Sequence, residues 1–229
     1  MKAPAFLDEW RAARRRKAAG RGKQAAALEA ILRTEKVFVH IPKCGGKSVI
    51  RDLYGLPEHD WFGHAEAPFY EQLLGPSRFA AFHSFTFMRD PVDRCRSAFE
   101  FYRTGGFQRP AALKLAAQLE PYDFVSFAMS DLLADLVTWQ VVFRPQAPRL
   151  MLADGRLGVD RIYDFAAFGA ALNRLTGRAE DTPVAHVNAS QPYKRAPIPE
   201  AVTKRLHDLY REDVILMQAH GLLADGSTT

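Results

Sequence analysis

Residues 37–48 read Val-Phe-Val-His-Ile-Pro-Lys-Cys-Gly-Gly-Lys-Ser, and this stretch decides the fold. Its first residues are apolar and β-favouring, and apolar residues recur at helical spacing over residues 49–54, which predicts a strand, a loop and a helix. Glycines let a backbone approach an anion, and the start of a helix offers unpaired N–H groups. The amides of Cys44–Ser48 are therefore predicted to cradle a phosphate or sulfate group, with Lys43 and Lys47 adding positive charge.

The end of this loop also matches the Walker A pattern, G-x-x-x-x-G-K-[ST], at Gly46-Lys47-Ser48. The leading glycine of that pattern would stand at position 41, which is Ile41, and Pro42 follows it. These two residues disfavour the wide turn of backbone amides that wraps a β-phosphate. A P-loop nucleotide kinase or NTPase is therefore a weakened alternative that stays open.

A second informative stretch, residues 84–99, reads Ser-Phe-Thr-Phe-Met-Arg-Asp-Pro-Val-Asp-Arg-Cys-Arg-Ser-Ala-Phe. The alternating phenylalanines predict a strand that ends at Arg89, and an N-capping Asp90 followed by proline predicts the start of a helix. We expect Arg94 and Ser97 to lie off the core face of this helix, because its apolar stripe falls on Val92, Cys95, Phe99 and Tyr102.

Both stretches resemble motifs of sulfotransferases, in particular the carbohydrate enzymes of the uronosyl 2-O-sulfotransferase type. The first family motif is written H-I-P-K-[TC]-[GA]-G-T-S, and residues 40–48 match it except that Lys47 replaces the usual threonine. The second is R-[DN]-P-x-x-R-x-x-S-x-[YF], whose fixed positions are all present as Arg89, Asp90, Pro91, Arg94, Ser97 and Phe99. With gaps, the resemblance extends from Val37 to Gly221.

The resemblance implies transfer of a sulfuryl group from 3′-phosphoadenosine 5′-phosphosulfate (PAPS) to an acceptor hydroxyl, which leaves 3′,5′-adenosine bisphosphate (PAP). Lys43 would stabilise the leaving group, while Arg89 and Ser97 would hold the 3′-phosphate. The 5′-phosphosulfate would lie on the backbone amides of Cys44, Gly45, Gly46, Lys47 and Ser48. No metal is expected, and the acceptor is expected to be a glycan or a small hydroxylated molecule.

The proton of the acceptor needs a general base. A short strand over Glu58–Gly63 is predicted to place His64 at the ligand-binding edge of a parallel sheet, and Gly63-His64 matches the glycine-histidine that carries the base in the family. A capping or surface histidine is the alternative interpretation. His83 is expected at the opposite end of the sheet, because it enters the strand that Arg89 leaves.

The remaining elements follow from periodicity and turn residues. Residues 161–165 are predicted as a strand, and helices are predicted over 24–32, 65–74, 111–120, 124–142, 166–175 and 200–220. We expect Trp139 on a mainly buried face. A basic loop with Lys194 and Arg195 corresponds to the family's loop that closes over the nucleotide; an ordinary exposed loop is the alternative.

The chain of 229 residues suits one α/β domain with the family's fold, a P-loop NTPase-like three-layer sandwich with a central, mainly parallel sheet flanked by helices. We expect a basic helical arm over 1–35, a sulfotransferase domain over 36–223 and a disordered tail over 224–229. The formal net charge of +5 is exceeded by seven basic residues of the arm alone: Arg11, Arg14, Arg15, Arg16, Lys17, Arg21 and Lys23.

This arm is expected to be a solvated helix face, and a non-enzymatic nucleic-acid-binding protein is the remaining alternative. No long apolar segment precedes Val37, so we expect no signal peptide, no membrane anchor and a cytoplasmic location. The two cysteines, Cys44 and Cys95, are expected to be free thiols.

Overall fold

A computed structural model describes residue 15 and residues 24–106, 108–184 and 197–224. Its strands are β1 (Lys36–Phe38), β2 (His83–Met88) and β3 (Arg161–Asp164). The helices are α1 (Ala25–Thr34), α2 (Gly46–Tyr54), α3 (Ala67–Leu74), α4 (Pro76–Ala81), α5 (Pro91–Arg103), α6 (Pro110–Leu119), α7 (Phe124–Ala128), α8 (Asp131–Trp139), α9 (Phe168–Thr176), α10 (Glu200–Leu209) and α11 (Arg211–Ala219). The protein is therefore α/β.

The three strands form a parallel sheet in the order β1-β2-β3. Phe38 pairs with Phe85 and Phe87 pairs with Tyr163, so aromatic side chains line one face, with ring centroids 5.3 and 5.4 Å apart in the two pairs. Phe85 and Phe87 are fully buried, as is usual for a central parallel strand. The predicted parallel character of the sheet is confirmed.

The chain divides into two compact units. The sheet unit comprises Met1–Met88 and Ala147–Val187, and it holds all three strands with α1–α4 and α9. The helical unit comprises Arg89–Gln146 and Asn188–Thr229, and it holds α5–α8, α10 and α11. Its core is built by apolar and aromatic residues of these helices and the segment after α8, including Cys95, Phe99, Phe127, Leu136, Phe143, Leu206 and Tyr210.

The predicted strand over Glu58–Gly63 is wrong. A 3-10 helix covers Glu58–Asp60, since these residues are polar and follow a proline. Trp61 and Phe62, whose β-favouring character suggested the strand, are buried against rings of two helices. The Trp61 ring lies 4.4 Å from that of Tyr54, and the Phe62 ring lies 6.0 Å from that of Tyr70. Aromatic residues in a loop fill the core here without pairing in the sheet.

Two long predicted helices are each divided in two. The segment 124–142 contains α7 and α8, because the Ser130 hydroxyl caps α8 by accepting from the Leu133 N–H. Trp139, expected to be buried, is 62% exposed. The segment 200–220 contains α10 and α11, which are divided at Tyr210, a buried residue whose hydroxyl donates to the Phe143 carbonyl at 2.8 Å.

Three predictions, for the Asp90 cap, the Gly177 helix end and the two cysteines, are confirmed. Asp90 caps α5 by accepting from the N–H groups of Val92 and Asp93, both at 2.9 Å. Gly177 ends α9 in the left-handed conformation with φ 72°. Cys44 and Cys95 are free, buried thiols. No helix in the described ranges is long and apolar enough to cross a bilayer.

Candidate functional site

The loop between β1 and α2 turns sharply before the helix begins at Gly46. Lys43 and Gly45 both have positive φ, 69° and 77° respectively. A left-handed backbone is uncommon for a residue with a side chain, so Lys43 is held there by the surrounding fold. The N–H groups of Ser48 and Val49 bond to the Gly45 carbonyl at 3.0 and 3.3 Å, which closes the first turn. The predicted strand-loop-helix order is confirmed.

Both glycines are fixed by packing beneath the loop. A Cβ atom on Gly45 would collide with the ring of Phe168, and one on Gly46 would collide with the ring of His40. From the sequence, these glycines were expected to let the backbone approach an anion closely. The structure gives a second reason for glycine at each position, because there is no space for a Cβ atom. The loop therefore packs so closely on Phe168 and His40 that only glycine fits at positions 45 and 46.

His40 is the buried residue under the loop, with 5% of its surface exposed. Its Nδ1 donates to the Gly63 carbonyl at 3.2 Å. Burial, followed by the neighbouring His64, lowers the pKa of His40 well below its usual value, so the ring is neutral near pH 7. The sequence analysis used His40 only as one matching residue of the motif. In the structure its ring packs against Gly46 and His64, so it is a candidate site residue that sequence reasoning missed.

His64 is half-buried, and its ring centroid lies 4.4 Å from that of His40. Burial lowers the pKa of His64, and the charge of Arg149 lowers it further. Its Nδ1 is enclosed and has no hydrogen-bond partner among the described residues. Although the strand expected before it is absent, His64 lies beside the histidine that supports the loop.

Arg149 is a second residue that the sequence did not indicate. It is 2% exposed, its Nη1 donates to the His64 carbonyl at 3.3 Å, and it lies 3.8 Å from Glu66 Oε1. A buried arginine is costly unless its donors are used, so its contacts hold the segment around His64 in place. The available signal was one arginine among the apolar residues of 147–152.

Lys47, the departure from the family motif, pairs with a carboxylate of its own unit. Its Nζ lies 2.9 Å from Glu58 Oε2, and the two side chains are 34% and 35% exposed. The added cation therefore has a local counter-charge. Glu58 belongs to the segment that the sequence predicted as a strand, so this pairing was not foreseen.

In the helical unit, the second motif is more buried than expected. Arg94 is 1% exposed and Ser97 is 6% exposed, so the prediction that they lie off the core face is wrong. The two terminal nitrogens of Arg94 donate to the carbonyls of Val142 and Arg144, both at 2.8 Å. Arg94 thus has a structural role, because it connects α5 to the segment after α8. Since Arg94 and Ser97 are buried as well as the apolar stripe, α5 is buried on more than one face.

Arg89 follows Met88, the last residue of β2, and is held through its backbone. Its N–H donates to Gln146 Oε1 at 3.1 Å, and its carbonyl accepts from Gln146 Nε2 at 2.8 Å. Gln146 is fully buried, and nothing in the sequence motif pointed to it.

The predicted site residues thus form two groups, one in each compact unit. Lys43, the loop amides and His64 belong to the sheet unit, where His40 lies between the loop and His64. Arg89 and Ser97 belong to the helical unit. Lys194 and Arg195 lie outside the described residues. His83 begins β2 opposite Lys36, at the end of the sheet away from the loop, as expected.

A cavity of about 650 Å³ in the sheet unit contains none of the predicted site residues. It lies by the first residues of β1 and β3 and the C-terminal end of α9, and is lined by Lys36, Arg161, Tyr163, Arg174, Leu175, Thr176 and Gly177. Within the described part of the chain, no three His, Cys, Asp or Glu residues are grouped so that they could hold a metal ion.

No protein-family profile, curated protein or solved structure matches this chain.

Proposed function

We propose that this chain is a sulfotransferase that moves a sulfuryl group from PAPS to an acceptor hydroxyl, with a carbohydrate as the expected acceptor. The observation that carries this proposal is the loop after β1, where a left-handed Lys43 precedes a glycine turn and the first amides of α2. Such a loop offers N–H groups and a lysine to one anionic ligand.

Lys43 has the role of stabilising the leaving group. Sulfuryl transfer puts negative charge on the oxygen that links sulfur to the 5′-phosphate, and a lysine there is most effective in the transition state. The amides of Cys44–Lys47 are assigned to the phosphosulfate, because the Ser48 N–H already donates to the Gly45 carbonyl. A strained backbone at Lys43 supports this role, because such strain concentrates at functional sites.

Arg89 and Ser97 are assigned to the 3′-phosphate, the group that distinguishes PAPS from ATP. Arginine suits this task because its guanidinium can donate two parallel hydrogen bonds to a phosphate. Supporting observations are the capped start of α5 at Asp90 and the double hydrogen bond that fixes the backbone of Arg89. Lys194 and Arg195 remain predicted ligands of the nucleotide.

His64 is assigned as the general base. A histidine can accept a proton only while it is neutral, and the lowered pKa of His64 keeps it neutral near pH 7. Its ring also lies against that of His40, with centroids 4.4 Å apart, and His40 packs under Gly46 of the loop.

The fold proposed with this function is a P-loop NTPase-like three-layer sandwich. The parallel order β1-β2-β3 supports it, since the phosphate loop of such folds follows a parallel strand directly. The ion pair between Lys47 and Glu58 speaks against the alternative of a nucleotide kinase or NTPase, in which the lysine at this position must reach a phosphate.

The test is transfer of labelled sulfate from PAPS to a panel of sugar, lipid-linked and phenolic hydroxyl compounds, with Lys43→Ala as the control that should lose activity. We expect labelled product together with PAP. Binding of ATP with magnesium in preference to PAP, with no transfer to any acceptor, would overturn the proposal in favour of a nucleotide-hydrolysing enzyme.

A further inference from the structure

The side-chain amide of Gln146 forms two hydrogen bonds with the backbone of Arg89, much as the peptide groups of neighbouring strands do in a β-sheet. Its side-chain amide donates to the Arg89 carbonyl at 2.8 Å and accepts from the Arg89 N–H at 3.1 Å. Arg89 lies between the end of β2 and the helix that Asp90 caps. Backbone N–H and C=O groups away from water need hydrogen-bond partners, and here one side chain bonds to both groups of one residue.

Asp213 fixes the orientation of the Gln146 amide. This residue of α11 is fully buried, and its carboxylate accepts from the Gln146 backbone N–H at 2.7 Å and from Gln146 Nε2 at 3.2 Å. A carboxylate only accepts hydrogen bonds, so Nε2 has to face Asp213. The Oε1 atom is then left for the N–H of Arg89, and the reversed amide is excluded.

From this geometry we infer that Gln146, oriented by Asp213, is a positioning residue for Arg89 and thereby sets the preference for a 3′-phosphate. The inference rests on the proposed function, in which Arg89 binds that phosphate. A guanidinium at the end of a flexible chain loses entropy when it binds, and less is lost when its backbone is already fixed. Supporting residues of this kind make a binding group effective.

Gln146→Glu tests the inference, because it preserves size but removes the N–H group that serves both Arg89 and Asp213. It also places a second carboxylate beside Asp213. We expect the affinity for PAP to fall about ten- to a hundredfold while the affinity for 5′-AMP stays unchanged, since only the 3′-phosphate is read through Arg89. Gln146→Met, of similar length and uncharged, is the second variant in case the first does not fold.

Asn173→Asp is the matched control. Asn173 is also a fully buried amide, and its Nδ2 donates to the carbonyls of Glu180 and Thr182 at 3.1 and 2.7 Å. It has no part in the proposed site. We expect this variant to lose stability as the Gln146 variants do, but to keep the wild-type ratio of PAP to 5′-AMP affinity.

Hydrogen exchange of the Arg89 amide gives a readout that needs no nucleotide. In Gln146→Met this amide should exchange at least about tenfold faster, while amides in the interior of α5 keep their protection. A folded Gln146 variant that keeps both the protected amide and the PAP preference overturns the positioning role alone. A wild-type chain that binds PAP no better than 5′-AMP overturns the proposed function and, with it, this inference.

Discussion

The imidazole of His40 lies against that of His64, with ring centroids 4.4 Å apart, and it also packs under Gly46 at the start of α2. One buried ring therefore contacts both the loop after β1 and the proposed base. Burial is the main cause that lowers the pKa of each histidine. The neighbouring His64 lowers the pKa of His40 further, and the charge of Arg149 lowers that of His64 further.

This pair predicts a stability that depends on pH. Both folded pKa values lie below the ordinary value of 6.5, so the unfolded chain binds more protons as the pH falls below 6.5. The free energy of unfolding should be full above about pH 6.5 and should decrease as the pH falls through that value towards the lowered pKa values. Urea unfolding at a series of pH values measures this slope.

His40→Gln should flatten that slope, because it removes the buried ring whose pKa is lowered most clearly by burial. An unaltered slope in His40→Gln would show that the pair does not remain neutral in the folded protein.

His64→Ala should reduce kcat by roughly a hundred- to ten-thousandfold if this residue is the base, with little change in donor affinity. As a structural cap, its loss would cost about 1 kcal/mol of stability and spare kcat. Turnover, PAP affinity and thermal stability measured on one preparation separate the two roles. Near-parental turnover across the histidine titration range would rule the assignment out.

Gly46→Ala should destabilise the protein by about 1–3 kcal/mol, because the new methyl group collides with the buried ring of His40. Gly169→Ala is its control within α9, where the nearest atom to an added Cβ is Val184 Cγ2 at 3.9 Å. That change should be neutral or stabilise by up to about 1 kcal/mol through helix propensity. Equal effects of the two substitutions in chemical unfolding would contradict the packing described for His40.

Substitution of Lys43 and of Lys47 should affect kcat very differently. Lys43→Ala is expected to lower kcat by roughly a hundredfold or more, since its contact develops with the charge of the leaving group. Lys47→Thr should stay active and lose at most about 1 kcal/mol of stability, because its partner Glu58 and Lys47 itself are about one-third exposed. Steady-state kinetics with PAPS checks both; an essential Lys47 beside a dispensable Lys43 would favour a Walker-like mechanism.

Local signals in the sequence were sufficient for the elements that carry the motifs. Glycine and proline placement, the Asp90 cap and alternating phenylalanines predicted the loop after β1, the strand β2 and the start of α5, because these features act over a few residues. The same local logic predicted the parallel sheet.

What the sequence could not supply depends on contacts between distant residues. Gln146 is 57 positions from Arg89, and Arg149 is 85 positions from His64. The periodic pattern also failed to predict the burial of Arg94, because a charged residue was assumed to face solvent. In the structure Arg94 can be buried because the carbonyls of Val142 and Arg144 accept its hydrogen bonds. Pairing partners of buried polar groups are set by tertiary structure, which no local pattern encodes.

Calorimetry of PAP and 5′-AMP binding to the wild type and to Arg89→Ala is the decisive experiment for the proposed recognition of PAPS through its 3′-phosphate. The wild type should bind PAP more tightly than 5′-AMP. Arg89→Ala should lose about 2–4 kcal/mol of PAP binding and almost none of the already weak 5′-AMP binding. Equal affinities of the wild type for both nucleotides, or equal losses in the variant, would mean that Arg89 does not recognise a 3′-phosphate.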